Sequence, residues 1–159
     1  MFHVLVVCKG NICRSPFAET VIRTSIEKRG VSESLECRSR GTENYHVGKG
    51  ADSLAIKVAR EFGYDLTRHI ATQVTDADLS WADLVLVFEP SNRDCLLERV
   101  PQAVKHNIQS LAEYLDPPRL NISDPYRKLE HEFRACFSLI LAACNRLVQV
   151  LCEKPAPIR

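Results

Sequence analysis

The chain has 159 residues, with 21 basic and 20 acidic side chains and seven cysteines. That length can bury roughly 70% of the unfolded surface in one core without a metal or disulfide staple, so residues 1–159 are expected to form a single domain. Balanced charge leaves no global field of the kind that recruits nucleic acid, and an odd cysteine count without paired C-x2-C spacing points to a reduced, cytoplasmic protein.

A first strand is predicted over His3–Val7, and it runs into Cys8. Its apolar run Val4–Val7 is too short to span a bilayer, and no apolar segment has a basic stretch before it and a cleavage site after it, so no membrane insertion is expected. Arg14 follows Cys8 six positions later, across Lys9-Gly10-Asn11-Ile12-Cys13, which must fold into a tight loop. Ser15 is placed to N-cap the next helix and Pro16 suits its first turn. That helix is predicted over Ser15–Arg29, with Phe17, Ala18, Val21, Ile22 and Ile26 at helical spacing and Lys28, Arg29 and Gly30 closing it.

A short strand near Leu35–Ser39 leads into a polar loop over Arg40–Gly50, then a helix near Ala51–Phe62 ended by Gly63. The next strand is Leu84–Phe88; Pro90-Ser91-Asn92 starts a helix that reaches about Arg99. A weaker strand near Lys105–Gln109 precedes a helical turn at Ser110–Leu115, and Pro117-Pro118 enforces a loop. The last helix, about Glu130–Cys152, gathers Phe133, Phe137, Ile140, Leu141, Cys144, Leu147, Val148 and Leu151 on one side. Cys136, Cys144 and Cys152 recur every eight residues on it, but successive members lie about 12 Å apart at helical rise, so they read as core residues. Alternating strands and helices predict an α/β fold, a small doubly wound, Rossmann-like four-stranded parallel sheet with helices on both faces. Ligands of such sheets sit outside the carboxyl ends of the strands, and Cys8 lies at one of them.

Spacing of Cys-x5-Arg arises easily by chance, and the context gives it weight. Only Cys8 has a β-type run before it, Gly10-Asn11 inside the interval, and Ser15-Pro16 opening an amphipathic helix after it. Cleaving a phosphate monoester needs a thiolate nucleophile, a holder for three charged equatorial oxygens, and an acid for the leaving oxygen. Cys8 is the candidate nucleophile. Loop amides of Lys9 to Arg14, the helix terminus and the Ser15 hydroxyl are expected to cradle a dianion and to favour the thiolate. Arg14 offers a planar fork for two phosphoryl oxygens, so the scheme calls for no metal and no cofactor. Asn11 suits a left-handed turn. The candidate acid is Asp124 in Ile122-Ser123-Asp124-Pro125-Tyr126-Arg127; a nearby dianion would raise its carboxyl pKa so that it can donate, and it would then activate water against a phosphocysteine. Taken alone, Asp-Pro is also a common turn pair.

These residues closely resemble the low-molecular-weight protein tyrosine phosphatases, whose signature is an N-terminal Val-Cys-x-Gly-Asn-x-Cys-Arg-Ser-Pro loop and a late Asp-Pro-Tyr loop. The resemblance covers nearly the whole chain and includes Gly41-Thr42, Tyr45-His46-Val47-Gly48, Asp52, His69 and Gln73. It implies that Tyr45 and Tyr126 embrace the substrate ring, favouring phosphotyrosine. It also implies that His69 buttresses the phosphate loop through Asn11, and that Cys13 pairs with Cys8 on oxidation. Each has a plainer alternative: a loop aromatic for Tyr45, a core or surface histidine for His69, a cysteine packed behind the loop for Cys13. Thr72 stands where members commonly have Arg, and Phe88-Glu89-Pro90 replaces Met-Asp-x before Ser91-Asn92. The run Asp124-Pro125-Tyr126-Arg127-Lys128 is similar to the bacterial, exopolysaccharide- and capsule-associated branch, which implies phosphotyrosine proteins as partners, a tyrosine autokinase foremost. Lys9, Arg40, His46 and Lys49 either ring the mouth with positive charge or belong to a solvated loop. An arsenate reductase would need a close cysteine pair where the chain offers only Cys95. A protein-arginine phosphatase carries a small polar residue in place of Ile12, and a phosphopeptide-binding module that has lost turnover would have no need of Asp124.

Overall fold

A computed structural model describes residues 1–99 and 107–154. Its elements in chain order are β1 (Phe2–Cys8), α1 (Arg14–Lys28), β2 (Leu35–Gly41), α2 (Ser53–Glu61), α3 (Asp76–Trp81), β3 (Leu84–Val87), α4 (Pro90–Arg99), β4 (Asn107–Ser110), a 3-10 turn (Leu111–Tyr114) and α5 (Glu130–Glu153). The four strands are all parallel in the order β2-β1-β3-β4. The chain steps outward from β1 to β2 on one side and crosses to β3 on the other. This reversal opens a crevice at the carboxyl ends of β1 and β3, where open sheets bind ligands.

The apolar run Val4–Val7 of β1 follows from its two covered faces. Val4 and Val6 join the core under α1, α2 and α5, whereas Leu5 and Val7 join a smaller core with Leu79 of α3 and Leu96 of α4. Aromatic packing pins the larger core: Phe17 of α1 stacks on Phe137 of α5 with centroids 4.1 Å apart, and Phe133 meets Phe137 edge-on at 6.1 Å. Burying each such ring stabilises the fold by about 1.5–3 kcal/mol. Helix α5 has the length and apolar composition to cross a membrane. Its Phe133, Phe137, Ile140, Cys144, Leu147 and Val148 are instead buried in the larger core, where α5 packs on α1, α2 and the 3-10 turn.

Several boundaries differ from the expectations. Helix α1 begins at Arg14, one residue before the predicted start, and Ser15 is not its N-cap; the cap position is Cys13, which makes no side-chain cap bond. Strand β2 runs on to Gly41, and α2 is capped by Asp52, whose carboxylate accepts from the amides of Leu54 and Ala55. Helix α3 was not expected. Only six residues long, it is too short to show periodicity and is fixed by a Thr75/Asp78 capping box. Of the strand predicted at Lys105–Gln109, the first two residues lie outside the described residues, and the rest begins β4.

Candidate active site

Cys8 closes β1 opposite Gly41 of β2 and is 3% exposed. The loop after it is held by its carbonyls. Thr42 donates its amide to Cys8 O, Glu43 to Lys9 O, and Asp52 to Ile12 O, at 2.8, 2.9 and 2.9 Å. Gly41 lets β2 come this close: a Cβ there would sit 2.9 Å from Lys9 O and 3.1 Å from Asn11 N.

Asn11 takes the left-handed backbone, φ 56°, and is 1% exposed. Its amide group donates to Ser15 Oγ at 2.8 Å and Ser39 Oγ at 3.1 Å, and its Oδ1 accepts from the Thr72 amide at 2.9 Å. Asn11 O lies 2.6 Å from His69 Nε2, which donates to it. Ser39 Oγ in turn donates to Glu19 at 2.5 Å. Residues from α1, β2 and the segment around residue 70 thus converge on one asparagine. Thr72 contributes only its backbone amide to Asn11.

Ser15 Oγ lies 2.9 Å from Cys8 Sγ. The serine hydroxyl is spent on the sulfur and on Asn11, so it cannot cap the helix. Arg14 is 1% exposed; its Nη1 donates to Ile122 O at 2.9 Å, and its Nη2 lies 3.0 Å from Glu89 Oε1 and 3.4 Å from Asp124 Oδ2. Burial opposes the guanidinium charge, but the negative charge of Cys8, Asp124 and Glu89 outweighs it and holds the Arg14 pKa above its ordinary value. Phe88 lies under the guanidinium, 5.3 Å from its ring centroid to Cζ.

A pocket of about 200 Å³ opens over the sulfur, floored by Cys8, Gly10, Ile12, Cys13 and Arg14 and walled by Lys9, Tyr45, His46, Asp124 and Tyr126. Of the sequence candidates, all but Arg40 and Lys49 lie there or directly behind it. Asn11, Ser15 and His69 form the backing. Lys9 and His46 do line the mouth, but Arg40 does not: it turns away to a two-pronged contact with Asp78 at 3.1 Å. Cys13 sits beneath, its thiol pKa pushed well up by burial first and then by Asp52, Cys8 and Asp124. Glu89 as a partner of Arg14 and Ser39 as a partner of Asn11 were not foreseen. Glu89 alone carried a signal, standing just beyond the carboxyl end of the strand beside β1. Among the described residues no group of three or more His, Cys, Asp or Glu side chains could hold a metal.

A buried cysteine and arginine flanking one loop, at the carboxyl edge of a parallel sheet and beside a carboxylate, is the layout of a cysteine-dependent phosphatase. Residues 3–156 match the family described as low molecular weight phosphotyrosine protein phosphatase. A relative of that name from Sus scrofa is 34% identical over 150 residues, covering 92% of this chain and 93% of the relative. Among solved structures, the protein tyrosine phosphatase of Entamoeba histolytica superposes with a TM-score of 0.88 at 32% identity, covering 96% of this chain and 98% of that one. The tyrosine phosphatase Wzb from Escherichia coli K30, in complex with sulphate, gives 0.83 at 33% identity, covering 95% and 99%. The chain belongs to the low molecular weight phosphotyrosine protein phosphatase family.

Proposed function

We propose that residues 1–159 act as one phosphatase domain that hydrolyses phosphotyrosine in proteins through a phosphocysteine. Cys8 sulfur attacks phosphorus while the phosphorus–oxygen bond to the phenol breaks, and Asp124 gives its proton to the departing oxygen. Asp124, now a carboxylate, takes a proton from water; the water oxygen attacks phosphorus, the sulfur–phosphorus bond breaks, and inorganic phosphate leaves. The amides of Lys9, Gly10, Asn11, Ile12, Cys13 and Arg14 and the Arg14 fork carry the equatorial oxygens throughout. The observation that carries this reading is one pocket bounded by the Cys8–Ser15 contact at 2.9 Å and the Arg14–Asp124 contact at 3.4 Å. An acid so placed supplies about 10²–10⁴ in rate.

Tyr45 and Tyr126 flank the entrance as ring walls, which suits a phenyl ester and leaves a phosphoserine too short to meet them. Ile12 in the floor suits the same aryl group better than a guanidinium. His69 serves the site as a buttress of Asn11. The preferred substrate is a tyrosine autokinase of bacterial polysaccharide export, in the cytoplasm; the Asp124-Pro125-Tyr126-Arg127-Lys128 run and the likeness to a bacterial Wzb support that choice. Under peroxide, Cys8 is oxidised to the sulfenic acid, and the Cys13 sulfur displaces hydroxide from it to form a disulfide that thiols reverse. Equal recovery of wild type and Cys13→Ser after peroxide and thiol treatment would remove that protective role.

The test is phosphate release from phosphotyrosine, phosphoserine and phosphoarginine peptides, without added metal, by wild type beside Cys8→Ser. Cys8-dependent turnover of phosphotyrosine alone is expected. Turnover of phosphoarginine would overturn the substrate assignment, and tight binding without release would make the protein a binding module.

A further inference from the structure

His46 is a pocket wall, yet the chemistry above gives it no work. Its ring stands between the two loops that the reaction must hold together. On one side it presses on the phosphate loop: a Cβ built on Gly10 would lie only 3.0 Å from His46 Cδ2, so nothing separates the ring from the Gly10 backbone. On the other side it meets Tyr126 edge-on, with centroids 5.6 Å apart and planes at 72°. Tyr45 closes against it at 6.5 Å. The His46 backbone is itself anchored, because Lys49 donates to His46 O at 2.9 Å and Gly48 to Ala71 O at 2.9 Å.

Tyr126 is the link from that ring to the acid. Its amide donates to Asp124 Oδ1 at 3.0 Å, and the Arg127 guanidinium carbon lies 5.4 Å from its ring centroid. The other carboxyl oxygen of Asp124 faces Arg14 at 3.4 Å. Where Tyr126 sits therefore sets one of the two contacts that aim the carboxyl group. We propose that His46 is a positioning residue for Asp124: its ring is a spacer between Gly10 and Tyr126 that holds the acid loop at the reach needed to protonate the leaving oxygen. This rests on the reading of Asp124 as the acid. Displacing a catalytic group by about 1 Å costs on the order of 10²-fold, so loosening one of two restraints costs about tenfold.

The proposal is tested by kcat/KM on two esters, phenyl phosphate and p-nitrophenyl phosphate, for wild type, His46→Ala, His46→Phe and Asp124→Asn. Nitrophenolate is a weak base and departs with little help, whereas phenolate, with a conjugate-acid pKa of about 10, needs the proton. Asp124→Asn is expected to lose far more on phenyl phosphate than on p-nitrophenyl phosphate. His46→Ala should repeat that asymmetry on a smaller scale, about tenfold on phenyl phosphate and within about twofold on the other ester. His46→Phe, which keeps a ring and loses the polar nitrogens, should return phenyl phosphate turnover to within about twofold of wild type. Equal losses on both esters, no loss, or a His46→Phe that behaves like His46→Ala would each overturn the proposal. If Asp124→Asn itself shows no asymmetry, the acid assignment fails first, and the role given to His46 falls with it. The Phe variant keeps the packing and so remains informative even if His46→Ala is poorly folded.

Discussion

A phosphate loop has to be stiff, because an oxygen displaced by a fraction of an ångström is an oxygen without its donor. Asn11 supplies that stiffness in two separable ways, through its left-handed backbone and through its side-chain amide. Glycine adopts the same φ without penalty but makes none of the bonds. Asn11→Gly should therefore lose only the hydrogen-bond part, about 1–3 kcal/mol, mainly from the stranded Thr72 amide. Asn11→Ala should lose about 1 kcal/mol more for the forced φ. Urea unfolding of the three proteins reads the difference, and activity should fall in the same order. Glu89 works on Arg14 in a comparable manner. Its carboxylate takes Nη2 at 3.0 Å and leaves the rest of the fork to Ile122 O and the pocket. Glu89→Ala frees the guanidinium to swing toward Asp124, and kcat/KM on phosphotyrosine peptide should drop about tenfold, or about 1.4 kcal/mol of transition-state stabilisation. Glu89→Gln, which keeps an acceptor oxygen, should fall between the two.

Elements carry the loop as much as residues do. Strand β2 ends with its backbone against the phosphate loop, and a methyl group on Gly41 would meet the main chain of Lys9, Gly10 and Asn11 at 2.9–3.1 Å. Backbone cannot rotate out of the way as a side chain can. Gly41→Ala should accordingly cost about 1–3 kcal/mol of stability. Its activity loss should exceed tenfold, since the strain enters at the amides that hold phosphate; thermal melts and peptide turnover measure the two effects. Gly41 was visible beforehand only as part of a family pattern. In contrast, the Cys8 to Pro16 stretch was legible from its own chemistry, because strand, loop and helix start are contiguous there and each has a local signature. Ser15 was misread as a cap because its true partner is a sulfur seven residues earlier, a distance that capping patterns do not include. Helix α3 escaped for a different reason: a single capped turn and a half contains too few apolar residues to show a period.

At the scale of the whole molecule, strands and long helices were predictable while the assembly of the site was not. His46 after β2 and Asp124 after β4 reach the pocket, and Glu89 after β3 reaches Arg14, so the three come from separate segments and nothing local to any of them names its partner. Their placement depends on how firmly the outer helices are docked. Helix α2 is capped by Asp52, the residue that donates to Ile12 O of the phosphate loop, and its later residues Lys57 and Glu61 are tied to α5 by ion pairs. Arg134 of α5 donates to Glu61 of α2 at 2.7 and 2.9 Å and to Glu130 at 2.6 Å, and Lys57 of α2 pairs with Glu130 at 2.5 Å. The Arg134 hydrogen bonds lower the Glu61 pKa, and those from Lys57 and then Arg134 lower that of Glu130. A carboxyl group whose folded pKa is depressed stabilises the fold fully above its unfolded pKa, about 4.3, and loses that contribution as pH falls through the folded value. Arg134→Gln removes the cation that hydrogen-bonds to both glutamates. Wild type should then be the more stable protein near neutral pH, and the two should converge as pH falls below about 4, where the carboxyl groups are protonated in either state. Because the cluster is at the surface, salt should narrow the neutral-pH gap as well. Thermal melts across pH 3 to 7 at low and high salt would decide the matter: a gap that persists at low pH or ignores salt would mean that Arg134 holds α2 through packing and not through charge.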